Sequence, residues 1–171
     1  MNPHAQASAD QAIPADAHVE VNLGSLTQSA RGAVSGVIFV DTGAAQFPER
    51  QWNDFVVVVL GWWCAACTSL LGGASEVELW FMDGPFLLQL EVATVDMWTA
   101  RFLRMHSTES LDVVTRPVLG LADGLRIRPA TFVGSVVTAS RAVLAECARR
   151  GWTTPDIDEL NRKRGVLESL L

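Results

Sequence analysis

From His18 to Leu23 polar and apolar residues alternate, with Val19, Val21 and Leu23 on one side, the period-two pattern of a half-buried strand. Gly32 to Val40 (GAVSGVIFV) is apolar on both faces and predicts a strand inside a sheet; Asp41-Thr42-Gly43 then breaks the chain. The period changes next. Trp52, Phe55, Val59, Trp62, Ala66 and Leu70 recur at spacings of three and four, which predicts one amphipathic helix over 52–71. Pro48 lies upstream, Glu49 and Asp54 sit near the positive end of the helix dipole, and Gly72-Gly73 supplies a stop.

Glu76 to Val92 reads as a hairpin. Val77, Leu79 and Phe81 alternate with Glu78, Trp80 and Met82, Asp83-Gly84-Pro85 turns, and Phe86, Leu88, Leu90 and Val92 return. Met97 to Met105 is the next strand, and 106–129 reads only as short strands around Pro117 and Asp123-Gly124. Ala130 to Arg150 is a second helix, its stripe made by Val133, Val136, Val137, Leu144 and Cys147, with Gly151 as cap. Thr154-Pro155 opens a third, with acidic Asp156, Asp158 and Glu159 in its first turn. The order β-β-α-β-β-β-(β)-α-α, with short links between the later strands, predicts an α+β domain over 18–171: a largely antiparallel sheet with helices on one face.

Composition narrows the function classes. In 171 residues there are 13 Lys+Arg against 19 Asp+Glu, a net charge of −6, and Lys163 is the single lysine. A chain of this charge is poorly suited to a phosphate backbone and well suited to a basic protein partner. Residues 1–17 have neither a basic nor an apolar segment, so they predict a flexible leader and not a secretory signal. Three cysteines without an export signal fit a reducing cytoplasm. Phe55 to Ser75 is uncharged and long enough to span a bilayer, but the alternating strands need a helix to cover them, so a core helix is expected in place of a membrane span.

The motif nearest to chemistry is Trp63-Cys64-Ala65-Ala66-Cys67, which resembles the thioredoxins in placing Trp before CxxC. Disulfide exchange would use Cys64 and Cys67, with the first thiol activated at a helix N-terminus. The helical stripe instead runs through the motif from upstream, placing both cysteines mid-helix as small core residues. Zinc would need Cys64, Cys67, Cys147 and His106 together, and a single closely spaced pair gives little support for that. There is no GxSxG, Walker-type loop or GxGxxG. No catalytic residue, metal or cofactor is therefore expected.

Two strings, Phe47-Pro48-Glu49-Arg50-Gln51-Trp52-Asn53-Asp54-Phe55 and Phe81-Met82-Asp83-Gly84-Pro85-Phe86, resemble a group of small bacterial immunity proteins of polymorphic-toxin systems. The resemblance covers about residues 19–92 and implies a cytoplasmic protein that neutralises a cognate toxin by binding it. The expected contacts with a basic toxin domain are Glu49, Asp54, Glu78 and Asp83, with Trp80 as aromatic anchor. Trp80 and Trp98 are both expected on the sheet face away from the helices.

Overall fold

The computed structural model describes residues 14–107, 110–113 and 123–171, which form two antiparallel sheets and three helices. The first sheet comprises β1 (His18–Val21), β2 (Thr27–Gln28), β3 (Val34–Asp41), β4 (Gln46–Phe47) and β5 (Asn53–Asp54). The doubly apolar β3 is central, as its composition requires. The Val37 backbone faces β1, accepting from Asn22 N–H at 3.0 Å, while the Ile38 N–H faces the other way and donates to the Trp52 carbonyl at 2.9 Å. One face carries Val34, Ile38 and Val40 into the main core.

This ladder moves the start of the first helix. Asn53 and Asp54 pair with Val37 and Gly36, holding the chain extended, so α1 runs Val56–Leu71 and excludes Trp52 and Phe55. Its inward face keeps Val59 and Leu70 of the predicted stripe and is elsewhere shifted by one residue. Val56, Leu60, Trp63, Cys67 and Leu70 are buried at spacings of four and three, while Trp62 is 42% exposed and Trp63 is 0% exposed. Adjacent tryptophans permit either stripe by periodicity alone. Only the packing of α1 against the strand that follows it selects Trp63.

The second sheet comprises β6 (Glu76–Trp80), β7 (Phe86–Thr94), β8 (Met97–Ser107), β9 (Ser110–Val113) and β10 (Leu125–Ile127). β6 pairs with β7, and β7 with β8; β9 and β10 also pair with β8. The hairpin forms where expected, with Val77 opposite Leu90 and Leu79 opposite Leu88. Leu88 faces Phe102 and Val92 faces Trp98, which fixes Trp98 on the inner face at 3% exposure and not on the outer one. The α+β class, the antiparallel pairing and the element order are as expected, with the strands divided between two sheets. Of the segment 106–129, residues 108–109 and 114–122 lie outside the described residues, as does 1–13 of the expected leader. Residues 14–17 belong to the fold: the Ala15 N–H donates to the Arg126 carbonyl at 2.8 Å, and Ala17 is buried.

The remaining helices are α2 (Pro129–Arg149) and α3 (Pro155–Glu168). α2 starts at Pro129, where the missing N–H costs nothing, and buries Val133, Val136, Val137 and Cys147 as predicted. Beyond its end, the Arg150 guanidinium stacks 4.8 Å from the Trp152 ring and donates to the Leu23 and Leu26 carbonyls. α3 is capped by Thr154, whose hydroxyl accepts from the Ile157 N–H. By length and composition α2 alone among the described helices suits a bilayer; here Phe132, Val133, Val136 and Val143 bury it in the common core.

The helices also seal strand edges. Ser135 of α2 accepts the outward N–H of Val19, and the Trp63 indole of α1 donates to the Trp80 carbonyl, both at 2.9 Å.

Candidate protein-interaction surface

The two strings meet in space through Asp54. Its carboxylate is 1% exposed and accepts four N–H groups: Phe55 (2.7 Å) and Asp83 (3.1 Å) on Oδ1, the Trp52 indole (3.1 Å) and Met82 (3.0 Å) on Oδ2. Burying a carboxylate is costly unless such donors surround it, and here they come from both sheets. Around it Phe47, Trp52, Phe81 and Phe86 pack edge to face at centroid separations of 5.1–6.4 Å. Gly84 belongs to the same construction. Its φ is +123°, and a Cβ there would lie 2.7 Å from the Trp52 ring, so only glycine lets the turn close over Trp52. Asp54 therefore holds the 81–85 turn to the first sheet and does not present a charge to a partner.

The other four expected contacts are placed differently. Glu49, Glu78 and Asp83 are exposed, and Trp80 is half-buried. In β6 the inner face carries Leu79, fully buried, so Glu76, Glu78 and Trp80 stand on the face turned away from the helices. Trp80 leans on Glu78, its indole N–H donating to the carboxylate at 2.9 Å. Leu87 and Leu103, opposite Trp80 in successive strands, continue an apolar row that is buried. Met82, two residues beyond Trp80, is 47% exposed. Its alternation with Glu78 and Trp80 is visible in the sequence, but nothing local distinguishes an exposed methionine from one folded under the turn.

Charge is unevenly compensated over the surface. The helix carboxylates Glu146, Glu159 and Glu168 are all in ion pairs with arginine. Arg149 and then Arg150 hold the Glu146 carboxyl down to about 2, and Arg162 does the same for Glu159. On the outer sheet face Arg101 pairs with Glu91 at 3.1 Å, leaving Glu76, directly across from Glu91, without a cation. Glu49, Glu76, Glu78 and Asp83 make no ion pair among the described residues. Glu76, Glu78 and Asp83 thus stand near Trp80 and Met82 without an ion pair among the described residues, while the Arg104 guanidinium lies 5.7 Å over the Phe86 ring on the far side of the turn.

The cysteines offer no comparable surface. Cys64 and Cys67 are fully buried in the middle of α1, with the Cys64 sulfur 3.5 Å from the Ser140 hydroxyl. Burial pushes both thiols up, away from the thiolate that disulfide exchange requires. Cys147 is buried on α2, His106 is exposed on β8, and no group of three or more His, Cys, Asp or Glu able to hold a metal occurs among the described residues. No protein family, curated protein or solved structure matches the chain.

Proposed function

We propose that this protein is a non-enzymatic interaction module that binds a basic protein partner through the outer face of β6 and the adjoining 81–85 turn, acting as the immunity partner of a toxin. The observation carrying this reading is the juxtaposition of uncompensated Glu76, Glu78 and Asp83 with a half-buried tryptophan and an exposed methionine. Desolvated aromatic and methionine side chains supply interface affinity, and surrounding charge of one sign supplies steering and selectivity. The resemblance of the two strings to immunity proteins supports the choice of partner, although Asp54, which joins them, acts here through the fold. The enzymatic alternative, thiol–disulfide exchange, lacks an accessible thiol.

The test is co-expression with the protein encoded immediately upstream. Growth arrest by that neighbour alone, relieved by this chain and not by its Trp80→Ala/Glu78→Lys variant, is the expected result. A neighbour that is harmless, or equally toxic with and without this chain, overturns the assignment.

A further inference from the structure

Four of the seven large apolar side chains exposed among the described residues gather at one end of the second sheet. Leu71 ends α1, Val95 tips the β7–β8 hairpin, and Leu170 and Leu171 follow α3. Together they rim a groove of about 770 Å³ with buried Val133 beneath it. Clustered apolar exposure of this kind marks an interface, where scattered residues would not. Thr94 faces Met97, so the hairpin turns on Val95-Asp96 alone, a place that ordinarily takes Asn, Asp or Gly; here it holds a valine 87% exposed. Two charges share the rim. The Asp96 carboxylate makes no ion pair or hydrogen bond among the described residues. Arg128, whose side chain is 50% exposed, meets only the exposed Asp16 there, at 2.9 Å. It opens α2, which has no side-chain cap and no acidic residue in its first turn, so the positive end of the helix adds to that of the guanidinium.

We propose that this patch is the two-fold interface of a homodimer. A projection and a recess, an acid and a base lie side by side on one surface, which is what self-complementarity requires. Across a two-fold axis the Val95 of each copy enters the groove of the other, and the Asp96 beside it meets the second copy's Arg128 at the start of α2. A partner of one charge sign would leave either Asp96 or Arg128 unanswered, whereas a second copy answers both. The 94–97 turn lies at the opposite end of the sheet from the 81–85 turn, so the dimer leaves the Trp80 face open and does not depend on what binds there.

Sedimentation velocity of the full chain reads the oligomeric state, and the wild type is expected to be a dimer at micromolar concentration. Val95→Asp, at a tip too exposed to matter to folding, raises the dissociation constant about a hundredfold or more, since each dimer loses two buried valines worth about tenfold each. Asp96→Arg and Arg128→Glu each bring like charges together in their own homodimers and sediment as monomers. Mixed one to one, these two variants form a dimer again, because the heterodimer has opposite charges at both contacts. A wild type still monomeric at about 1 mM overturns the proposal, whatever the variants do. So does a dimer that none of the three substitutions weakens, or a mixture of the two charge variants, each folded by circular dichroism, that stays monomeric.

Discussion

Replacing Asp54 by alanine should unfold the junction between the two sheets. The substitution removes an acceptor for four N–H groups, of which those of Met82 and Asp83 lie on exposed residues and can turn to water. The Phe55 and Trp52 donors remain, and an orphaned buried donor costs about 1–3 kcal/mol. Relief from burying the carboxylate offsets part of that sum, so the net loss is about 2–4 kcal/mol. For a chain of this length that lowers Tm by roughly 4–16 °C. Asp54→Asn keeps one oxygen but points an amide NH2 at two donors, and it should recover less than half of the loss. Urea unfolding followed by tryptophan fluorescence measures both variants, since Trp52 sits on the carboxylate. An Asp54→Ala protein within about 1 kcal/mol of wild type would refute the structural role. If it also failed to bind the partner, Asp54 would return to the interface.

Trp63→Ala should cost about 3–5 kcal/mol, because it empties a core site, removes the bond to the Trp80 carbonyl and strips the ring packed 5.0 Å from Phe81. Trp62→Ala, on the exposed side, should stay within about 1 kcal/mol; chemical denaturation of the two variants reverses this order if α1 is rotated. Cys64 and Cys67 should resist alkylation at neutral pH until the protein unfolds, and the native protein should not reduce insulin disulfides; rapid native labelling by iodoacetamide would contradict their burial. The Glu146 carboxyl, lowered from 4.5 to about 2 in the folded protein, contributes stability that is full above the ordinary value and is lost as pH falls towards 2. The Tm difference between wild type and Glu146→Gln should therefore narrow between those values, and added salt should shrink it at every pH.

What periodicity could see, it located well. The 76–92 hairpin, its turn, α2 and α3 each carry a repeated pattern or a cap at the right place, and the structure reproduces them to within a residue or two. β2, β4 and β5 are two residues long, too short to show any period, yet β5 is what delays α1 to Val56. The WW doublet left the helix face open by one residue. Division into two sheets depends on which strands pair, and alternation reports a strand's faces without naming its neighbours. Glu78 and Trp80 are legible as candidates because their alternation places them opposite a buried row, and Asp83 because it opens the turn that follows. Asp54 read as one more surface acid because its partners at Met82 and Asp83 are 28 and 29 residues away. The patch around Val95 has no local signal, since Leu71, Val95 and Leu170 come from three segments far apart in the chain.

Association kinetics with the purified upstream-encoded protein read out partner binding through the β6 face. A one-to-one complex is expected, with association that slows as salt contracts the Debye length from about 10 Å at 0.1 M to about 3 Å at 1 M. Glu78→Gln/Asp83→Asn should slow association, and Trp80→Ala should speed dissociation with the fold intact. Absence of binding, or binding that neither salt nor any of these three side chains alters, would rule out the β6 face as the docking surface.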